Sequence, residues 1–188
     1  GARVAVAARD TTSLQRVAGD IRASGGIAEV VTMDVSDVAS IRAGVADAAA
    51  RLGGLDVLVN NAGVEQVCPS LEVDESLWDR IVDTNLKGAF FCAQAAARGM
   101  RDRRQAGAII NLCSLTSEVG IPTAVPYGAS KTGVLGMTRA LSTEWAPLGI
   151  RVNAIGPGYF RTAMTEVFYQ NEAWQQAMMA KIPSGRFG

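Results

Sequence analysis

The stretch LDVLVNNAG, Leu55 to Gly63, is where the fold can be read. Val57, Leu58 and Val59 are apolar on successive positions, not on alternate ones, which predicts a strand from Leu55 to Asn60 buried on both faces. Such strands belong to parallel sheets covered by helices on either side. Two amides and a glycine then close the strand at its carboxyl end. Glycine there lets the backbone approach a flat ligand closely, and open parallel sheets bind ligands beyond the carboxyl ends of their strands. By itself Asn60-Asn61-Ala62-Gly63 also fits a plain turn.

The flanking sequence repeats the same rhythm. Upstream, Arg3 to Ala8 and Ala28 to Met33 read as strands, with helices from Ser13 to Ala23 and Val38 to Leu52. Gly25-Gly26 and Gly53-Gly54 stop those helices, since glycine takes the left-handed conformation at low cost. Downstream, Glu75 to about Arg104 is helical in one or two pieces, Ala108 to Ser114 is a strand, Val125 to Pro147 a long helix and Ile150 to Ile155 a strand. Alternating strands and helices predict an α/β protein. With no repeat or linker, residues 1–188 read as a single domain.

Composition removes several kinds of chemistry. Eighteen basic and eighteen acidic residues cancel, so the basic excess of a nucleic-acid binder is missing. With no histidine, Ser-His-Asp and Cys-His schemes have no imidazole base. Cys68, Cys92 and Cys113 are too scattered for a thiolate metal cage, so no metal is expected, and their odd number reads as reduced and cytoplasmic. No stretch has the length and apolarity of a membrane span. Gly128-Ala-Ser-Lys131-Thr132 imitates the end of a P-loop, but its upstream glycine spacing is wrong and it lies within a helix.

Of the lysines, Lys131 alone has a tyrosine four residues earlier, Tyr127. On a helix the two share a face, and a cation beside a phenol lowers its pKa toward the range of a general acid/base for a carbonyl–alcohol pair. On spacing alone, an ordinary surface pair is the stronger reading. Ser114, at the carboxyl end of its strand, adds a hydroxyl where a substrate oxygen would sit, with Ser117 as a competitor.

Taken together, these residues resemble the short-chain dehydrogenase/reductase family. Members carry Asn-Asn-Ala-Gly after a central strand, Tyr-x-x-x-Lys on the long helix and a serine thirteen residues before the tyrosine, which here is Ser114. Asn85, in Thr-Asn-Leu-Lys-Gly, matches the asparagine of the intervening helix. Pro157-Gly158 and Thr162 match the nicotinamide side of the cofactor site, Asp34-Val35 the adenine side, and Asn61, Ala62 and Gly63 the cofactor wall. The resemblance extends to gluconate and polyol dehydrogenases and to acyl-carrier-protein ketoreductases. It implies a Rossmann-like doubly wound parallel sheet and an NAD(P)-dependent oxidoreductase interconverting a ketone or aldehyde with an alcohol. In that scheme Ser114, Tyr127, Lys131 and Asn85 are catalytic: Tyr127 passes the proton, Lys131 lowers its pKa and holds the ribose, Ser114 fixes the substrate oxygen and Asn85 supports a relay water. The alternative is a non-catalytic Rossmann-like binding protein or a degenerate copy, which intact Ser114, Tyr127 and Lys131 disfavour.

The family's opening strand with its Gly-rich turn, and its last strand, have no counterpart here. The sequence therefore reads as a fragment lacking both ends and inactive by itself. Where a member selective for NAD places an acid at the end of its second strand, this chain has Ala8 followed by Arg9, which points to NADP rather than NAD, with Thr11, Thr12 and Ser13 adding hydroxyls. The counter-reading gives Asp10 the ribose. Two helical stretches, Leu86 to Ala97 and Val134 to Leu141, are apolar nearly all round and predict a homodimer or homotetramer. Pocket walls are expected at Val64 to Leu71, Leu115 to Ile121 and Tyr159 to Ala180. Met164, Phe168, Trp174, Met178 and Met179 form either a substrate lid or core.

Overall fold

The structure, a computed structural model, describes residues 1–162 and 165–188; Met164 of the expected lid lies outside them. In chain order the main elements are β1 (Arg3–Ala8), α1 (Thr11–Ala23), β2 (Ile27–Thr32), α2 (Val38–Leu52), β3 (Val57–Asn60), α3 (Glu75–Val82), α4 (Gly88–Asp102), β4 (Gly107–Leu112), α5 (Val125–Trp145), β5 (Ile150–Ile155), α6 (Glu166–Tyr169) and α7 (Glu172–Met179). Every strand pairing is parallel. The sheet comes in two pieces, β1–β2 and β3–β4–β5, giving the α/β fold that the strand rhythm predicts, of the Rossmann-like kind that the family resemblance implies.

Local chemistry accounts for the helix ends. The Asp10 carboxylate accepts from Thr12 N–H and Ser13 N–H at the start of α1, and Asp37 accepts from Ala39 N–H at the start of α2. Gly53 closes α2 in the left-handed region at φ 76°. Two apolar clusters form the core. Ala93, Ala96, Met100, Ile109, Leu141 and Ile150 join α4 and α5 to β4 and β5, and Ile41, Val45 and Cys92 join α2 to α4.

Two expectations need correction. β3 is not buried on both faces: Leu58 packs against both clusters, but Val57 and Val59, on the other face, are 54% and 53% exposed. Among the described residues β3 is an edge strand, bonded to β4 alone. The expected strand from Ala108 to Ser114 also ends earlier, at Leu112, so Ser114 lies in the connection that follows.

The long helical stretch is indeed in two pieces, α3 and α4, joined by a π-helical segment, Asp83–Lys87. Such widened turns recur at functional sites because they reorient one side chain within a helix. Here that residue is Asn85, 1% exposed. Gly88 follows, and a Cβ there would collide with the carbonyl oxygen of Val35, so only glycine lets α4 begin against the Asp34–Val35 turn.

Candidate active site

The carboxyl ends of β3, β4 and β5 carry three loops that α5 ties together. The loop after β3 holds Gly63 and Val64. Asn85 clamps it from both sides: its Oδ1 accepts from Val64 N–H at 2.8 Å and its Nδ2 donates to the Val64 carbonyl at 2.9 Å. Asn85 Nδ2 also lies 3.1 Å from Ser130 Oγ, whose own hydroxyl donates to the Tyr127 carbonyl at 2.7 Å. The loop and the first turns of α5 are thus one hydrogen-bonded unit.

Tyr127 and Lys131 lie one turn apart on α5, with Lys131 Nζ 5.7 Å from the Tyr127 ring centroid. Lys131 is 4% exposed, and its ammonium donates to the Leu112 carbonyl at 2.6 Å, the last residue of β4. An ammonium has three donors, so two remain for a ligand. A Cβ on Gly63 would sit 3.5 Å from Asn85 Oδ1 and 3.6 Å from Lys131 Nζ, so glycine keeps this corner open. An open cradle beside a buried ammonium with donors to spare fits a ribose diol, and with it a nicotinamide dinucleotide.

Burial pushes the Tyr127 phenol above its ordinary pKa; a hydrogen bond with the Ser114 hydroxyl opposes this, while Glu65 and Cys113 add to it. Burial likewise lowers Lys131, against the pull of Cys113 and Glu65. The expected depression of the Tyr127 pKa by Lys131 is therefore not found. The lysine lies over the ring and donates to Leu112, and it does not figure among the groups that shift the phenol; desolvation is the largest cause.

Ser114 Oγ accepts from Thr116 N–H at 3.2 Å, and Ser117 Oγ accepts from Ser114 N–H at 3.4 Å. Ser117 thus supports the turn while Ser114 meets the phenol. Leu115 N–H donates to the Pro157 carbonyl at 3.2 Å, joining this turn to the Pro157–Gly158 loop after β5. Thr162, exposed, accepts from neither partner loop; its N–H donates to Thr165 Oγ1 at 2.9 Å.

On the other sheet piece, Arg9 Nη1 lies 3.7 Å from Asp34 Oδ2. Hydrogen bonds from Ser36, helped by Arg9, hold the Asp34 carboxyl below its ordinary pKa. Asp10 caps α1 and accepts from Ser13 Oγ at 2.6 Å, so the residue of the counter-reading is engaged at the start of that helix.

A cavity of about 990 Å³ opens beside the Ser114 turn. Leu115, Val119 and Ile121 line it, as do Tyr159, Phe168, Trp174 and Met178, in accord with two of the three expected walls. Val64 to Leu71 does not line it; Cys68 N–H instead donates to the Thr123 carbonyl at 2.8 Å, supporting that wall from outside. Met179 is also absent from the lining, whereas residues 181 to 188, which the sequence did not single out, contribute strongly.

Several other contributors escaped the sequence. Asn60, read as a crevice amide, turns inward: its Nδ2 donates to Asn111 Oδ1 and to the Ala89 carbonyl, each at 2.9 Å, and Asn111 Nδ2 donates to Thr138 Oγ1 at 2.9 Å. Asn111 is fully buried in an otherwise apolar strand, a signal visible in AIINL. Glu65 is half-buried near Lys131 and Tyr127, without a carboxylate–cation contact among the described residues.

A parallel α/β sheet with Ser114, Tyr127 and Lys131 gathered at its carboxyl edge, beside a cradle for a dinucleotide, defines an oxidoreductase of the carbonyl–alcohol class. The sequence profile of the short chain dehydrogenase family matches residues 1–173. The chain is 36% identical to gluconate 5-dehydrogenase of Gluconobacter oxydans over 188 residues, all of this chain and 73% of the relative. A crystal structure from Sinorhizobium meliloti, assigned as a short-chain alcohol dehydrogenase, is 62% identical with a TM-score of 0.96, over all of this chain and 74% of that one. Gluconate 5-dehydrogenase from Burkholderia cenocepacia, in complex with NADP and tartrate, is 35% identical with a TM-score of 0.95, over all of this chain and 73% of that one. The chain belongs to the short-chain dehydrogenase/reductase family and is an NAD(P)-dependent oxidoreductase acting on CH–OH groups. A non-catalytic binding role is not favoured. Among the described residues no helix is long and apolar enough to cross a membrane, and no acidic or thiol cluster could hold a metal.

Proposed function

We propose that Tyr127, Lys131, Ser114 and Asn85 carry out the interconversion of a ketone or aldehyde with its alcohol, using NADP in preference to NAD. The observation that carries this reading is the buried Lys131 ammonium, held on Leu112 with two donors free, one helical turn from a phenol that Ser114 reaches. Nicotinamide dinucleotide, when bound, supplies the hydride for reduction and accepts it in oxidation. Tyr127, a phenol whose pKa burial raises further above neutral, gives its proton to the carbonyl oxygen. Ser114 orients that oxygen by a second hydrogen bond. Lys131 holds the ribose hydroxyls, and Asn85 fixes the loop carrying Asn61, Ala62 and Gly63 against which the cofactor lies.

Asp34 and Val35 bound the adenine side, Pro157, Gly158 and Thr162 the nicotinamide side, and Arg9 takes the 2′-phosphate. Residues 1–188 act in this reading as one cofactor-binding unit of a cytoplasmic enzyme. Self-association falls to α4 and α5, whose outer cleft is lined by Phe90, Ala97, Leu141 and Trp145. The test is reduction of a ketone panel by the full-length protein with NADPH and with NADH. Turnover with NADPH preferred is expected, and no turnover on any ketone or alcohol would sink the proposal. A monomeric sedimentation profile at micromolar concentration would remove the α4–α5 interface.

A further inference from the structure

We infer that the substrate is a bulky apolar ketone, or its secondary alcohol, that also carries a carboxylate, and not a polyol. This rests on the proposed site, because the cavity is placed by Leu115, the residue after Ser114, and by Gly158, the residue after Pro157. At about 990 Å³ the cavity is at the upper end of the ~300–1,000 Å³ range of small-molecule sites.

Its walls are hydrocarbon and aromatic. Trp174 stacks on Phe168 at 5.5 Å and lies parallel to Phe187 at 6.1 Å, with Tyr159 edge-on to Trp174 at 5.3 Å. Leu115 and Ile121 face them from the Ser114 side. A polyol entering such a space would shed water from several hydroxyls and would need a partner for each. Two of the three lining hydroxyls are already engaged, which leaves that of Tyr159 for all the hydroxyls of a polyol. Thr123 Oγ1 donates to the Pro122 carbonyl at 2.6 Å and Ser184 Oγ to the Arg186 carbonyl at 3.4 Å. A hydroxyl buried without a partner forfeits its hydrogen bonds to water, so the cavity discriminates against polyols and favours rings and alkyl chains.

Charge supplies the second half. Lys181 and Arg186 line the cavity, and among the described residues no acidic one does. Neither makes a salt bridge among the described residues. An apolar chamber with cations of one sign at its wall suits a substrate that is greasy at the reacting end and anionic at the other, and an arginine holds a carboxylate with paired hydrogen bonds. Thr123 adds an independent sign that this wall is built for a purpose. It holds φ 65°, a conformation a β-branched residue adopts only under restraint, and the Cys68 N–H bond to its carbonyl supplies that restraint.

The experiment compares benzoylpropionate, its methyl ester and ketogluconate as substrates of the full-length enzyme with NADPH. Binding is followed separately by quenching of Trp174 in a Trp78→Phe, Trp145→Phe background. We expect kcat/KM for benzoylpropionate to exceed that for ketogluconate, and that for the ester, by about tenfold or more. Lys181→Gln with Arg186→Gln should erase the preference for acid over ester while leaving the ester's rate in place. The reduced product of benzoylpropionate should quench Trp174 and gluconate should not. Ketogluconate turned over as well as benzoylpropionate, or an ester equal to its acid, overturns the inference and leaves the oxidoreductase reading standing. Trp174 quenching by the aromatic acid without turnover of any ketone overturns the oxidoreductase reading, and with it the assignment of that acid as a substrate.

Discussion

The carboxamide of Asn85 satisfies both backbone groups of Val64, accepting from its N–H at 2.8 Å and donating to its carbonyl at 2.9 Å. Through this pair a widened turn between α3 and α4 fixes the loop after β3. The same amide reaches Ser130 on α5, so three elements meet at one buried side chain.

Replacing Asn85 with alanine leaves Val64 N–H and C=O unpaired in a buried setting. Each orphaned group costs on the order of 1–3 kcal/mol, and a fall of that order is expected in unfolding free energy by denaturant titration. Asn85→Asp keeps an acceptor for Val64 N–H but has no donor for its carbonyl. It also buries a carboxylate against that carbonyl, so a loss at least as large as that of the alanine variant is expected at neutral pH, and an aspartate variant as stable as the parent would show that the donor half is idle.

For Tyr127→Phe the ring still packs but the transferable proton is gone. Turnover should drop by about 10²–10⁴-fold, the range of general acid/base catalysis. The dissociation constant for NADPH should change little, since Lys131 still has Leu112 to hold it. Near-normal turnover would take the proton transfer away from this residue.

The chain's strand rhythm was legible because buried parallel strands need unbroken apolar runs, and the spacing of Ser114, Tyr127 and Lys131 survives without any coordinates. Three matters were not legible. Burial of Val57 and Val59 depends on what lies across the sheet, which a local apolar run does not encode. The sign of the Tyr127 shift is set first by desolvation, which the spacing of Tyr127 and Lys131 does not encode. Asn60 and Asn61 look equivalent in the sequence, yet strand alternation turns Asn60 inward to Asn111 and leaves Asn61 exposed.

Glu65 offers a pH-dependent test. Burial raises its pKa, against the attraction of Lys131, so between the unfolded and folded values the native state binds the extra proton. Stability falls as pH rises through that window. Glu65→Gln should therefore be more stable than the parent above the window, with the gain shrinking below it. Because Glu65 also raises the Tyr127 pKa, the alkaline limb of alcohol oxidation, which needs the phenolate as proton acceptor, should move to lower pH. An unmoved or upward-shifted limb would separate Glu65 from the phenol.

The proposed preference for NADP rests on Arg9. Its side chain is 72% exposed and lies 3.7 Å from Asp34, so it stands free to turn toward a 2′-phosphate beyond the end of β1. Asp10, the residue that could accept hydrogen bonds from a 2′-hydroxyl instead, already accepts from Thr12 N–H, Ser13 N–H and Ser13 Oγ at the start of α1. An NADP enzyme needs a cation at this place and an NAD enzyme an acid, and Ala8 supplies no acid. The Arg9–Asp34 pair is solvent-exposed and so worth at most about 1 kcal/mol, little resistance to exchanging Asp34 for phosphate. Removing Arg9 should then cost NADPH binding far more than NADH binding. Arg9→Ala is expected to lower the ratio of kcat/KM for NADPH over NADH by roughly ten- to a hundredfold, the 1.5–3 kcal/mol of a charged hydrogen bond. NADH should be almost unaffected, and the NADPH loss should shrink at high salt, where an exposed ion pair is screened. A ratio that stays put in the variant, or a parent enzyme that already prefers NADH, would remove the phosphate clamp from Arg9.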